Sequence, residues 1–320
     1  MKKGENMRAV LLLVCGVPFC LGCGGESEPV DLLPILPNNA QTVSLLGDTL
    51  FSSGEPSESV LANLMDAEAE YRADPGDADA LIWYGRRLAY AGRYREAINM
   101  YSEGIHEHPA DARIYRHRGH RYITLRMLDE AIADFETAAA LIEGMDDEVE
   151  PDGAPNALNI PVSTLHTNIW YHLGLAYYLK GDMENAFRAY DQCLQASPND
   201  DMIVASTHWL YMILRRLGRD QEAEEVVAPI TAEMEVIENQ AYHNLALFYK
   251  GELSEADLTG SDEPAATPSN VGIAYGLGNW YLYNGDEERA RAIFEQITGA
   301  NAGWGGFGYI AAEAELSRME

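Results

Sequence analysis

The sequence predicts an all-α chain built from stacked helix hairpins, and three observations carry that prediction. Residues 167–198 read TNIWYHLGLAYYLKGDMENAFRAYDQCLQASP. Trp170, Leu173 and Tyr177 recur at i, i+3, i+7 before a Gly-Asp turn, and Ala186, Tyr190 and Cys193 recur at i, i+4, i+7 after it. These are two short helices with one apolar face each. The unit then recurs: Ala97 and Ala131 stand 34 residues apart, and Ala186, Ala223, Ala256 and Ala290 continue the series, the last step again 34. Finally, 47% of the 320 residues are apolar, enough for a continuous core, while strand signals are scarce.

At the N-terminus, Lys2, Lys3 and Arg8 precede an apolar run from Ala9 to Leu21. Its 13 residues fall short of the roughly 20 needed to span a bilayer, and Pro18 interrupts it. Residues 1–22 therefore read as an export signal. The Gly22-Cys23 step resembles a bacterial lipoprotein cleavage site, with Cys20 where that pattern usually has leucine. The resemblance implies lipidation of Cys23 and a membrane-anchored lipoprotein of the cell envelope. Gly24, in place of an aspartate, points to the outer membrane where the source has one. Pro29, Pro34, Pro37 and Pro56 among Gly, Ser and Asn make residues 23–58 a flexible tether. Leu61, Leu64, Met65 and Tyr71 then mark residues 59–77 as an N-terminal capping half-repeat.

Residues 78–142 hold the first two hairpins, through Gly85, Leu88, Gly92, Tyr94, Ala97, Tyr101 and Pro109, then Tyr115, Gly119, Tyr122, Ala131, Phe135 and Ala138. The third is the richest, with Trp170, Leu173, Gly174, Tyr177, Gly181, Ala186, Tyr190 and Pro198. Gly174 in mid-helix costs about 1 kcal/mol against alanine, so the partner helix is expected to come too close there for a side chain, through Ala186. Three fainter units follow, at Gly218, Ala223 and Val227, at Gly251 and Ala256, and at Gly278, Tyr281, Gly285, Ala290 and Phe294. These offsets resemble the tetratricopeptide repeat, whose helix-turn-helix unit carries Trp, Leu-Gly, Tyr, Ala, aromatic, Ala and Pro. The resemblance implies a right-handed α-solenoid, a superhelix of about six repeats with capping helices. Two breaks interrupt it: residues 143–161 form an inserted acidic loop, and residues 259–270 a linker within repeats 3–6 (162–298). Residues 299–320 are expected to supply a C-terminal capping helix.

A net charge of −29 disfavours nucleic acid and anionic lipid as partners. The few basic residues nevertheless gather at positions that form the concave wall in the tetratricopeptide family. Carried over by offset, that wall comprises Arg86, Tyr90, Arg113, Arg116 and His120 in the first two repeats and Asn168, Tyr171 and Tyr178 in the third. His208, Arg215 and Arg216 follow in the fourth, Phe248 and Tyr249 in the fifth, and Tyr275, Asn279 and Tyr283 in the sixth. The picture is a basic, tyrosine-rich trough suited to an acidic or extended segment of a protein partner. The same residues would serve structure alone if the tyrosines pack on one another and the arginines pair with carboxylates such as Asp79 and Glu238. The family's clamp for a peptide C-terminus is not expected, since Ile82 and Arg86 occupy its first two positions.

Signatures of catalysis are thin. Gly303, Gly305 and Gly308 match G-x-G-x-x-G, but a helix rather than a strand precedes them, so a joint before the last helix is the better reading. His117 with His120 and His166 with His172 have no third ligand at predictable spacing, and no metal or other cofactor is expected. Cys193 reads as core filling, and Trp83, Trp209 and Trp280 as core residues. The sequence thus predicts a non-enzymatic interaction scaffold, its oligomeric state left open. One alternative is a glycan or small-ligand binder stacking sugars on Tyr171, Tyr178, Tyr275 and Tyr283. Another is a hydrolase or metal enzyme using the histidines.

Overall fold

Six helix pairs follow one another along the chain in the computed structural model, which describes residues 33–37, 39–52, 54–259, 271–299 and 303–319. The elements below lie in one compact unit, Leu36–Glu320. The expected leader, Cys23 and residues 260–270 lie outside the described residues. The pairs are α2 (Ala78–Tyr90) with α3 (Tyr94–Glu107), α4 (Ala112–Thr124) with α5 (Leu128–Leu141), and α6 (Leu165–Lys180) with α7 (Met183–Ala196). Then come α8 (Asp200–Arg216) with α9 (Asp220–Val227), α10 (Gln240–Tyr249) with α11 (Glu255–Thr259), and α12 (Val271–Tyr283) with α13 (Glu287–Gly299). Helix α1 (Glu58–Ala73) precedes them and α14 (Phe307–Met319) follows. The first helices of the pairs pack in sequence, α2 on α4, α4 on α6, α6 on α8, α8 on α10 and α10 on α12, with α14 next to α12. They form the inner layer of an α-solenoid.

Local chemistry starts and stops these helices. The side chains of Asp77, Asp111, Asp182 and Asn199 accept backbone N–H groups at the starts of α2, α4, α7 and α8, and Thr164 with Thr167 forms a reciprocal cap on α6. The hairpin turns place glycine in the left-handed region at Gly92, Gly181, Gly218, Gly251 and Gly285. In the second pair that position falls to Arg126, with φ 63°. A non-glycine residue there costs about 1–2 kcal/mol, so something else must hold Arg126 in place.

Within the pairs, a mid-helix glycine faces an aromatic ring of the second helix. A Cβ on Gly85 would lie 2.4 Å from Tyr101, on Gly119 2.9 Å from Phe135, on Gly174 2.5 Å from Tyr190, and on Gly278 2.5 Å from Phe294. The close neighbour of Gly174 is therefore Tyr190 and not Ala186. All four rings are essentially fully buried. Truncating any of them should cost about 3–5 kcal/mol.

Three departures from expectation matter for the site. The first is that residues 40–51, expected in a flexible tether, form an antiparallel hairpin, β1 (Ala40–Val43) with β2 (Thr49–Phe51). Thr42 Oγ1 donates to the Leu125 carbonyl at 2.5 Å, the Tyr94 amide donates to Gln41 Oε1 at 3.1 Å, and Trp304 Nε1 donates to the Phe51 carbonyl at 2.7 Å. The hairpin thus staples the turns of the first pairs to the C-terminal segment. The second is α14, which is buried from Tyr309 to Leu316, Glu313 and Glu315 included, whereas a cap keeps one polar face in water. It packs on α12 and α13 and also reaches across to α6. The third is that Trp83 and Trp280 are only half-buried, while Trp209 is core.

Candidate functional site

The inner layer brings most of the candidate wall residues together, but the chain itself covers them. Along α4 the cover changes within one helical turn. Arg116 and His117 meet the inserted loop, while His120 meets Phe307 of α14, with ring centroids 5.3 Å apart.

The loop lays an extended segment over α2, α4 and α6. Its backbone pairs briefly with the start of α6: the Glu150 amide donates to Ser163 O at 3.1 Å and the Leu165 amide to Glu148 O at 2.9 Å. This aims Glu150 inward, where its side chain is 9% exposed. Arg116 Nη2 lies 2.9 Å from one carboxylate oxygen, Asn168 Nδ2 donates to the same oxygen, and His117 Nε2 lies 3.5 Å from the other. Arg116 Nη1 also contacts His117 Nδ1 at 2.9 Å. Because arginine can only donate, that nitrogen accepts and the proton sits on Nε2, facing Glu150. Further along, Arg86 donates to the Pro151 carbonyl and Arg87 to the Gly153 carbonyl, each at 2.9 Å. Gly153 lies so close to Tyr90 that a Cβ there would come within 2.0 Å of the phenol oxygen. Arg113 is held by Asp79 and Asp111, each at 2.6 Å.

Helix α14 covers the next part of the wall, over α6 and α12. Glu313 and Arg126 form an ion pair at 2.7 Å whose side chains are 1% and 3% exposed. This is what holds Arg126 in its left-handed turn. Glu315 accepts from Arg216 at 3.0 Å and from Arg318 at 2.9 Å. A buried relay also ends on it: Asn279 Nδ2 donates to Tyr178 at 2.8 Å, Tyr178 and Tyr275 share a 2.6 Å contact, and Tyr275 donates to Glu315 at 3.4 Å. Burial pushes the Tyr178 phenol up to about 12. Tyr171 accepts from Trp209 Nε1 at 2.7 Å. His208 stacks on Tyr242 and Tyr249, and Tyr249 on Tyr211. Phe248 packs on Trp280, and Arg215 lies 4.6 Å over Tyr283.

Several expectations need correction accordingly. Asn168, Tyr171, Tyr178, His208, Tyr275 and Asn279 are buried, so no partner reaches them in this conformation. An open hollow along the whole inner wall is absent among the described residues. The tyrosines of the glycan reading all pack on protein, and Tyr283 alone among them keeps some surface. Four of the histidines are held neutral: burial and then Arg116 push His117 well below its ordinary range, and burial and then Arg121 do the same to His120. Burial brings His172 and His208 to about 3. Among the described residues no three His, Cys, Asp or Glu side chains converge as metal ligands. Cys193 is buried, its thiol pushed up to about 12 by burial. Glu150, Glu313, Glu315 and Arg126 escaped the sequence reading. Two glutamates inside the run YIAAEAEL and an arginine where five other turns have glycine were the available signals.

Stacked helix pairs around a shared inner layer define an α-helical repeat protein. Residues 85–147 and 167–200 match the tetratricopeptide repeat, so the chain carries tetratricopeptide repeats in those segments. Tetratricopeptide repeats bind protein or peptide partners, and in that general sense the fold is that of an interaction scaffold. The BBSome complex member BBS4 of Bos taurus is 27% identical over 151 residues, covering 47% of this chain. The match spans about a quarter of that relative's length, 24%. Among solved structures, YrrB, a tetratricopeptide-repeat protein with an unusual peptide-binding site, is 16% identical with a TM-score of 0.41, covering 78% of this chain and 97% of its own. A tetratricopeptide-repeat protein from Parabacteroides merdae is 14% identical with a TM-score of 0.47, covering 80% of this chain and 92% of its own.

Proposed function

We propose that this protein is a non-enzymatic scaffold of the bacterial cell envelope, anchored by lipid on Cys23, that takes an acidic, extended protein segment on the wall formed by α2, α4 and α6. One observation carries the reading. That wall already grips such a segment, with Arg116 and Asn168 on a buried carboxylate and Arg86 and Arg87 on the Pro151 and Gly153 carbonyls. Charge-assisted bonds of this kind are stronger than neutral ones, and backbone contacts accept any sequence that is extended there. The rest of the original trough, around Tyr178, Tyr275 and Asn279, belongs to the core.

The reading is tested with two immobilised peptides of equal length, one alternating glutamate with proline and small residues, the other carrying glutamine for glutamate. Retention on the acidic peptide, lost in the Arg86→Glu/Arg87→Glu variant, is expected. Equal retention on both peptides would remove the acidic groove. Anchoring is tested separately by fatty-acid labelling in the native host, where Cys23→Ser should abolish label and membrane association; a labelled variant would end that part.

A further inference from the structure

We infer that residues 146–153 are an internal stand-in for the partner: they occupy the wall of α2, α4 and α6 as a ligand would, and an acidic peptide binds by displacing them. The inference rests on the scaffold reading above and adds to it the state of the site and the form of the ligand.

The manner of seating supports it. Little of the loop's apolar surface is buried, since Met145, Val149, Leu158 and Ile160 are all at least half exposed. The cover instead is polar: one glutamate side chain and two main-chain carbonyls meet the wall's guanidinium groups. That leaves little apolar area to lose on release, so the segment can leave at modest cost compared with a core element. The wall would survive its departure, because Arg86 also lies 4.3 Å over the Trp83 ring and Arg87 5.0 Å from it. Beside the seated segment a cleft of about 150 Å³ remains, lined by Trp83, Arg86, Arg113 and Val149 among others. A longer peptide has room to run on from the Glu150 position into it. By contrast, α14 is fixed by a buried ion pair and by apolar burial on every side. Only the loop has the character of a removable occupant.

The ligand follows from what the loop offers. It is an extended peptide with one inward glutamate, a carbonyl one residue later and a second carbonyl two residues beyond that, where the residue must be glycine or otherwise avoid the Tyr90 ring. A tethered occupant competes at an effective concentration in the millimolar range, so a free peptide should bind the closed form weakly.

The test uses the full chain and a labelled synthetic peptide copying residues 145–154, read by fluorescence anisotropy. Three forms are compared: wild type, a variant with residues 146–157 replaced by a Gly/Ser stretch of equal length, and Gly153→Ala, which substitutes no wall residue. Both variants should bind the peptide at least tenfold more tightly than wild type, and a peptide with glutamine at the position of Glu150 should lose at least tenfold. Equal affinity for all three forms overturns displacement while leaving the acidic groove standing. No binding to the loop-replaced form, folded by circular dichroism, removes the groove and the inference together. A measurement on wild type alone covers the case of variants that do not fold. Saturating peptide should speed cleavage after Glu148, whose carbonyl is tied to the Leu165 amide while the loop is seated, by a Glu-specific protease, and an unchanged rate overturns the inference.

Discussion

Arg126 occupies a turn position that glycine fills in five sister hairpins, and its guanidinium neutralises Glu313 in the interior. Removing one partner of such a pair strands the other charge, which costs about 3–5 kcal/mol, while relief of the left-handed backbone returns only about 1–2. Arg126→Gly should therefore lower stability by about 1–4 kcal/mol in urea unfolding, and Arg126→Gly/Glu313→Gln should recover part of it. A single variant as stable as wild type would contradict this account. The four neutral histidines set a pH dependence with a definite sign. In the unfolded chain each takes up a proton near pH 6.5, while in the folded chain His117, His120, His172 and His208 resist protonation until far lower pH. Below about pH 6.5 the unfolded state binds more protons, so stability is retained above that pH and falls towards pH 5, by up to about 1.4 kcal/mol per pH unit for each histidine. Urea midpoints at pH 7.5, 6.0 and 5.0 check this, and a flat profile would contradict it.

The tight element contact is the glycine against the aromatic ring of the second helix. Gly174→Ala gains about 1 kcal/mol of helix propensity but forces a methyl to within 2.5 Å of the Tyr190 ring, and overpacking of this kind costs about 1–3. A net loss of up to about 2 kcal/mol is expected, reversed when Tyr190 is shortened to leucine in the same chain. A stabilised single variant would show that the pair is looser than described. The six pairs were legible because most of their helices carry a 3.6-residue apolar period and five of the six turns a glycine, both local signals. The hairpin at residues 40–51 was not. Its strands are short, flanked by prolines, and fixed by distant partners such as the Leu125 carbonyl and Trp304. The lining of the inner wall was likewise readable from repeat offsets, whereas its occupants lie in an insertion and a terminal helix outside the period.

At the scale of the whole molecule, a chain of net charge −29 turns Arg116, Arg126 and Arg216 inward and uses its own glutamates to satisfy them. The solenoid is consequently closed on its inner side by two acidic pieces of different character, one built into the core and one seated by polar contacts. Burial explains why the glycan and histidine readings lost their residues, since a close-packed interior leaves those rings no face for a ligand. The account stands on the seating of the loop in the unliganded chain, which hydrogen exchange at the Glu150 amide reports most directly. That amide donates to Ser163 in wild type and should be protected there, and Arg86→Ala/Arg87→Ala should raise its exchange at least tenfold while α6 stays protected. An amide that exchanges freely in wild type, or one that the double substitution leaves unchanged, would contradict it.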